Sequence, residues 1–319
     1  MTETRAALSR RPRFVYGPVP SRRLGYSLGV DIVPFKTCTL DCVYCQLGPT
    51  ERTRVRRGDF VPVKEVLAQV GRALAAGRPI DVITFSGSGE PTLNRSLGRL
   101  IRGVKQMTRL PVAVLTNGTL LHRPDVRRDL RAADLVVPSF DAATPALFRR
   151  VNRPHRALRL DRFFDGLRAF RREFKGRLWL EIMLVKGLND GPAHIARLKK
   201  VVAALRPDKV HLNTVVRPPA EARAKLLSPA EMEKIRRVLG PNVEVAVDFR
   251  KAAQPAVAAG DLEASVLAMV RRRPLSLDDL RRTLGRTAVE IRGALQALEA
   301  GSKVRRARHG RRLFYEAAA

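Results

Sequence analysis

Cysteine is scarce in this 319-residue sequence, and its scarcity limits the class of protein. The chain has only three cysteines, Cys38, Cys42 and Cys45, which all lie within one short segment. An odd number of cysteines packed so closely excludes a disulfide framework. The sequence also lacks any run of about 18 apolar residues, so no membrane span is predicted. The first thirteen residues are basic and lack an apolar segment, so no secretory signal is predicted either. These absences together predict a protein of the reducing cytoplasm.

Acidic residues are also few. The sequence has 30 Asp and Glu against 61 Lys and Arg, which gives a formal net charge of +31. Such an excess predicts polyanionic partners, or at least tolerance of them. The hydrophobic fraction is 45%, which is enough for a sizeable core, and the length fits two domains.

Short apolar runs alternate with amphipathic stretches after residue 28, and this alternation indicates β–α units. The apolar runs are residues 28–35, 80–87, 111–118, 135–141, 178–187 and 210–216. Helical spacing of apolar residues occurs at 63–76, 97–107, 160–174, 195–205 and 231–239. Six such units predict a parallel sheet with helices outside, as a partial (β/α)6 TIM-like barrel with a further strand at 243–247. An open doubly wound sheet is the alternative.

The pattern changes after residue 250. Residues 251–260 are small and interrupted by proline, which is typical of a linker. Three helices and a hairpin turning at 309–310 follow, and this order predicts a small winged helix-turn-helix domain. The predicted domains are therefore an N-terminal extension (1–27), a core barrel (28–250), the linker (251–260) and the winged-helix domain (261–319).

The three cysteines follow the first predicted strand with the spacing C-x3-C-x2-C. Thiolates this close can only converge on one small centre. Incidental reduced thiols, a zinc site and an iron–sulfur cluster are the three interpretations. Structural zinc usually takes four protein ligands, and a cubane cluster normally takes four thiolates. Three thiolates would leave one iron of a cubane open to a substrate or cofactor.

This motif, with the aromatic Tyr44 before its last cysteine, resembles that of the radical S-adenosylmethionine enzymes. The resemblance implies that Cys38, Cys42 and Cys45 hold a [4Fe–4S] cluster and that S-adenosylmethionine chelates the fourth iron. It also implies a one-electron reductant of the flavodoxin or ferredoxin type. Cleavage of the sulfonium would then release methionine and a 5′-deoxyadenosyl radical that abstracts hydrogen from a substrate. Tyr44 takes the position whose backbone contacts adenine in that family.

Polar strand ends extend the resemblance. The segment Ser86-Gly87-Ser88-Gly89-Glu90-Pro91-Thr92 is similar to the family's Gly-Gly-Glu element, which binds the amino group of the methionine moiety. The same resemblance implies ligand contacts for residues at the next two strand ends. The cofactor-binding residues expected on these grounds are Tyr44, Gly87, Gly89, Glu90, Asn117 and Ser139. Ordinary turn chemistry is the alternative for the strand ends. Asn213 and Arg217 are candidates for contact with the substrate.

Residues 14–250 resemble the branch of this family that includes the wyosine synthases, which build a modified guanine in tRNA. The resemblance rests on the segment from Tyr16 to Gly25, the cysteine loop, the glycine-rich element and Val151-Asn152-Arg153-Pro154. The archaeal wyosine synthases carry a second cluster on three upstream cysteines, whereas no cysteine precedes Cys38 here. The sequence therefore predicts a related enzyme with another substrate, with RNA modification as the reaction class and RNA as a partner. A nucleic-acid-binding regulator with a non-catalytic metal-binding barrel and a zinc-stabilised binding module are the alternatives.

Overall fold

One eight-stranded sheet dominates the computed structural model, which describes residues 12–21, 23–246, 262–310 and 312–318. Its strands follow sequence order across the sheet. They are β1 (Val15–Ser21), β2 (Gly25–Val30), β3 (Val82–Phe85), β4 (Val112–Thr116), β5 (Leu135–Pro138), β6 (Arg177–Leu184), β7 (Lys209–Thr214) and β8 (Val243–Val245). Strand β1 pairs with β2 in antiparallel orientation, and all pairs from β2 to β8 are parallel.

A helix follows each parallel strand from β2 to β7. These helices are α1 (Val63–Ala75), α2 (Leu97–Met107), α3 (Pro124–Leu130), α4 (Leu160–Glu173), α5 (Pro192–Leu205) and α6 (Pro229–Leu239). Within the described residues β8 does not pair with β1, so the sheet curves without closing. The six predicted β–α units and the partial barrel are therefore confirmed.

The central strands are short and buried on both faces. All four residues of β3 and of β5 are buried, because helices cover one face and the barrel interior covers the other. Helix α2 shows the complementary pattern, since Leu97, Leu100 and Val104 recur at helical spacing and are fully buried. This packing fixes the carboxyl ends of the strands, where the long loops lie.

Two elements of the barrel depart from the sequence-based expectation. Helix α3 was not predicted, because it has only seven residues and buries just Val126 and Leu130, too few for a periodic signal. Strand β1 lies within the predicted N-terminal extension. Its sequence holds Gly17 and two prolines, and proline is tolerated on an edge strand such as this one.

Residues 262–310 and 312–318 form a separate group of elements, here named the C-terminal unit. It contains α7 (Leu262–Val270), α8 (Leu277–Leu284), α9 (Ala288–Ala300), β9 (Val304–His309) and β10 (Arg312–Ala317), of which the two strands form an antiparallel hairpin. Capping boxes at Ser276 and Thr287 start α8 and α9, as their sequences indicate. That the unit is a winged helix-turn-helix domain stays a prediction. The predicted linker, 251–260, lies outside the described residues.

The C-terminal unit packs against the edge of the sheet. Its apolar cluster includes Val19 of β1, which is buried among leucines of α8 and α9. The Arg78 side chain donates a hydrogen bond to the Thr283 carbonyl at 3.0 Å. On the other side, a ring nitrogen of His309 lies 2.7 Å from the Val215 carbonyl oxygen. The unit is thus fastened to both the first and the last part of the barrel. None of the helices described is long and apolar enough to cross a membrane.

Candidate active site

The three cysteines lie in the long loop between β2 and α1. Backbone hydrogen bonds hold the cysteine-bearing part of this loop at two points: Lys36 N–H donates to the Ser88 carbonyl at 2.7 Å, and Val43 N–H donates to the Val151 carbonyl at 3.0 Å. All three thiols are free and half-buried. The loop therefore presents its cysteines from a fixed backbone at the carboxyl end of the sheet.

A cavity of about 370 Å³ opens at this end of the barrel and brings most of the predicted site together. The loop cysteines, the glycine-rich segment, the ends of β5 to β7 and the end of α7 line it. Among the predicted residues, the lining includes Cys38, Cys42, Tyr44, Cys45, Gly87, Gly89, Ser139, Asn213 and Arg217. Glu90 and Asn117 are not in this lining.

Each thiol has one nitrogen donor beside its sulfur. Asn117 Nδ2 lies 3.5 Å from Cys38 Sγ, Asn152 Nδ2 lies 3.4 Å from Cys42 Sγ, and Lys36 Nζ lies 3.3 Å from Cys45 Sγ. Donors to sulfur stabilise the thiolate and tune the potential of an iron–sulfur centre. Lys36 and Asn152 were not assigned this role from the sequence.

The protein alone does not favour charged thiolates at two of these positions. Burial raises the pKa of the Cys38 thiol to about 12, and the nearby Glu90 carboxylate adds to the shift. Burial also raises the pKa of Cys42 well above its ordinary value, followed by the charges of Asp141 and Cys38. A positively charged centre between the sulfurs would favour the thiolate form and oppose these shifts. In the described part of the chain, no three His, Cys, Asp or Glu side chains are placed to hold a single metal ion.

The glycine-rich segment needs its two glycines because other backbone and side-chain atoms lie against them. Gly87 has φ +151°, and a Cβ there would lie 2.4 Å from Asp31 Cγ. A Cβ on Gly89 would lie 2.1 Å from the Thr37 carbonyl oxygen. Only glycine permits this approach of the segment to β2 and to the cysteine loop.

Glu90 lies behind this segment instead of facing the cavity. Its carboxylate accepts hydrogen bonds from the Thr92 backbone N–H and hydroxyl at 3.0 and 2.5 Å, from the Thr116 hydroxyl at 2.6 Å and from the Asn117 N–H at 2.7 Å. Burial raises its pKa, and these hydrogen bonds oppose the shift. Glu90 thus joins the loops that follow β3 and β4.

Tyr44 belongs to a buried polar cluster beneath the cysteine loop. Its hydroxyl donates to the Asp141 carboxylate, which also accepts hydrogen bonds from Asn152 Nδ2 and the Met183 N–H, both at 2.8 Å. Burial raises the pKa of Asp141, and its three donors lower it. Asp141 ends the fourth predicted strand, and Asn152 belongs to the Val-Asn-Arg-Pro motif. Both residues therefore lie in segments that the sequence analysis identified, but the sequence did not indicate that they contact each other.

The C-terminal unit supplies part of the cavity wall, which the sequence did not indicate. Met269, Arg272 and Arg273 line the cavity from the end of α7. Among the described residues, the lining then holds five basic side chains and one acidic side chain. These are Arg23, Lys36, Arg217, Arg272 and Arg273, with Glu181 as the acid. Arg23 and Glu181 form an ion pair with each other.

Comparison with known proteins assigns the barrel. Residues 32–198 match the family model described as the radical SAM superfamily. A UPF0026 protein of Methanocaldococcus jannaschii is 37% identical over 226 residues, covering 70% of this chain and 69% of that protein. A protein of Brachyspira hyodysenteriae named GTPase Obg is 42% identical over 234 residues, covering 73% of this chain but only 34% of its own length.

A solved structure shares the fold. The structure of TYW1 with a lysine-pyruvate adduct superposes with a TM-score of 0.53 at 18% identity, covering 70% of this chain and 75% of that chain. The matched family model spans the cysteine loop, the glycine-rich segment and the ends of β3 to β6, whereas the end of β7 lies outside it. This chain therefore belongs to the radical S-adenosylmethionine superfamily and, within it, to the UPF0026 family.

Proposed function

We propose that Cys38, Cys42 and Cys45 hold a [4Fe–4S] cluster in the cavity and that S-adenosylmethionine binds beside it. The superfamily consists of enzymes that use this cluster and this cofactor, and they take electrons from a reductant. The proposal concerns which residues hold them here. The observation that carries it is the cavity itself, which is lined by all three thiols and by Gly87 and Gly89.

The donor set of the cavity fits the cluster. Three sulfurs suit a cubane that keeps one iron free for the cofactor, and each sulfur has its own nitrogen donor. The high pKa values of Cys38 and Cys42 fit a site that becomes thiolate only around a cationic centre. When bound, the cluster supplies the electron for cleavage of S-adenosylmethionine to methionine and a 5′-deoxyadenosyl radical.

The chain's own residues bind and orient the cofactor. Gly87 and Gly89 line the cavity where the methionine moiety is expected, and Tyr44 and Ser139 line it where adenosine is expected. Glu90 and Asn117 support the residues that line the cavity. Glu90 joins the loops that follow β3 and β4, and the Asn117 side chain contacts the sulfur of Cys38. We therefore assign Glu90 and Asn117 to the support of the site.

RNA modification is the reaction class that we propose. The excess of basic side chains in the cavity lining favours an anionic substrate, and the net charge of +31 fits a polyanion. The hairpin of the C-terminal unit is also rich in arginine. Arg305 pairs with Glu316 at 2.8 Å and Arg306 pairs with Glu299 at 2.7 Å, so both have partners within the chain. Arg23 and Arg272 of the cavity wall are paired as well, so we propose the wall for the phosphate contacts because its basic side chains lie beside the cysteines.

Anaerobic purification tests the cluster assignment. We expect a brown protein with a full complement of iron and acid-labile sulfide, and a colourless protein when all three cysteines are replaced by alanine. A wild-type protein that stays colourless and holds stoichiometric zinc after treatment with iron and sulfide would contradict the proposal. The free thiols also suit the reducing cytoplasm, with a flavodoxin- or ferredoxin-type donor as the reductant.

Mass spectrometry of digested RNA tests the substrate class. Cells depleted of the enzyme should lose one modified nucleoside, and wild-type protein should restore it while Cys42→Ala should not. If the nucleosides are unchanged and a small metabolite accumulates, the enzyme acts on that metabolite and the RNA proposal is wrong.

A further inference from the structure

The C-terminal unit reaches the cavity through Arg272, which follows the end of α7. The side chain is only 11% exposed. Its guanidinium lies over the ring of Tyr16, with 4.6 Å from Cζ to the ring centroid. Two of its nitrogens donate to the carbonyls of Ala268 and Arg13, each at 2.7 Å. The guanidinium is therefore held in one place between the C-terminal unit and the start of β1.

Arg272 pairs with a carboxylate that holds the glycine-rich segment. Its Nε lies 3.3 Å from Oδ2 of Asp31, which follows β2 and is 7% exposed. Asp31 accepts two hydrogen bonds from Ser88, one from the backbone N–H at 3.1 Å and one from the hydroxyl at 2.5 Å. One buried carboxylate thus links the C-terminal unit to the segment between Gly87 and Gly89.

Two further contacts show that this segment is held from opposite sides. The Tyr16 hydroxyl, beneath the Arg272 guanidinium, lies 3.2 Å from the hydroxyl oxygen of Ser86. On the other side, the Ser88 carbonyl accepts the hydrogen bond from the Lys36 N–H, at the start of the cysteine loop. The glycine-rich segment lies between the cysteine loop and the contacts made by Arg272.

We propose that Arg272 is a positioning residue through which the C-terminal unit holds the glycine-rich segment in the shape that binds S-adenosylmethionine. This inference rests on the proposed function, which assigns that ligand to the segment. Without the guanidinium, the buried Asp31 carboxylate would lose the cation that pairs with it, which is an unfavourable state. Entry of water would relieve it, and this change weakens the two bonds to Ser88. The cofactor site is therefore completed by the C-terminal unit.

Three variants test this inference. Arg272→Met keeps an unbranched aliphatic side chain and removes the guanidinium with its charge. Arg272→Lys restores the charge, and Arg271→Met is the matched control on the exposed neighbouring side chain. Amide hydrogen exchange of peptide 86–93 is measured on cluster-free protein. Binding of radiolabelled S-adenosylmethionine is measured by equilibrium dialysis on oxidised, cluster-loaded protein, so neither readout depends on turnover.

We expect Arg272→Met to raise both the exchange rate and the dissociation constant by roughly tenfold, the scale of one hydrogen bond to a charged group. Arg272→Lys should bring both the exchange rate and the dissociation constant most of the way back to the wild-type values. Arg271→Met should match the wild type in both. All four proteins should contain equal amounts of iron. An unchanged dissociation constant in Arg272→Met overturns the proposal, whatever the exchange shows.

Two outcomes separate this inference from the proposed function. If wild-type protein holds the cluster but does not bind S-adenosylmethionine, the proposed function fails, and unchanged exchange in Arg272→Met would overturn the link to the loop independently. If Arg272→Met does not fold, Ser88→Ala removes only the hydroxyl donor to Asp31. Weaker cofactor binding by Ser88→Ala then supports the link, and wild-type binding overturns it.

Discussion

Replacement of Glu90 by alanine distinguishes a ligand-binding carboxylate from one that supports the loops. The sequence expectation was a direct contact with the cofactor, for which the loss would appear in cofactor affinity alone. In the structure Glu90 is 2% exposed, and its carboxylate accepts four hydrogen bonds from Thr92, Thr116 and Asn117. We therefore expect Glu90→Ala to lower the free energy of unfolding.

The size of the loss follows from the donors that the carboxylate now satisfies. The two threonine hydroxyls can rotate toward other acceptors, whereas the backbone N–H groups of Thr92 and Asn117 cannot. A buried donor left without an acceptor costs about 1–3 kcal/mol, so two cost roughly 2–6 kcal/mol. Removing a buried charge recovers part of this cost, because burial disfavours the ionised form of Glu90. We expect a net loss of about 3 kcal/mol for Glu90→Ala.

Urea unfolding of cluster-free protein, followed by circular dichroism, measures this loss directly. Glu90→Gln keeps one carbonyl oxygen and should lose about half as much as Glu90→Ala, since one of its atoms becomes a donor. Exposed Glu51→Ala serves as the control and should leave stability within about 0.5 kcal/mol of wild type. If Glu90→Ala unfolds like the wild type and only binds S-adenosylmethionine more weakly, the supporting role is wrong.

Three further predictions concern the cysteine loop, the polar cluster and the pH dependence of stability. The Cys42→Ala protein should lose most of its bound iron and its visible absorbance. Its unfolding midpoint in the cluster-free state should stay close to that of wild type. Full iron content in this variant would contradict the cluster assignment. Asn152→Asp places a second buried carboxylate beside Asp141. It should lower the free energy of unfolding in urea by about 3 kcal/mol at neutral pH, and acidification should recover part of this loss. A variant as stable as wild type would refute the contact. Burial, followed by the charge of Arg23, lowers the pKa of His211 to about 4 in the folded state, against an ordinary value of 6.5. The contribution of His211 to the free energy of unfolding is therefore complete above pH 6.5, where the imidazole is neutral in both states. This contribution is lost as the pH falls from 6.5 toward 4, by at most about 3 kcal/mol. The free energy of unfolding of His211→Gln should fall less steeply between pH 6.5 and 4 than that of wild type. Parallel pH dependence in the two proteins would contradict the prediction.

The sequence predicted most of the barrel because most of its strands and helices carry their own local signal. The buried residues of α2 recur at helical spacing, and β3 is a short run of β-branched and aromatic residues, so neither needed a tertiary partner to be recognised. The cysteine spacing was informative for the same reason, since the whole motif lies within one loop. Helix α3 was missed because seven residues with only two buried apolar side chains carry almost no periodicity.

The contacts within the site were harder to predict because their partners are distant in sequence. Asn152 is 110 residues from Cys42, and no local pattern indicates that its amide faces that sulfur. Asp31 and Arg272 come from opposite ends of the chain, and only the packing of the C-terminal unit on β1 joins them. Glu90 was predicted to bind the cofactor, and no local pattern indicated that the pairing of β3 with β4 places the Thr116 and Asn117 donors beside its carboxylate.

We propose above that the three loop cysteines carry a cluster that cleaves S-adenosylmethionine. Quantification of 5′-deoxyadenosine, after dithionite reduction of anaerobically reconstituted protein with S-adenosylmethionine, is the decisive experiment for this proposal. We predict 5′-deoxyadenosine and methionine in equal amounts from wild-type protein, and neither from protein in which Cys38, Cys42 and Cys45 are alanine. Absence of 5′-deoxyadenosine from fully cluster-loaded wild-type protein, or equal amounts from the alanine variant, would contradict the account.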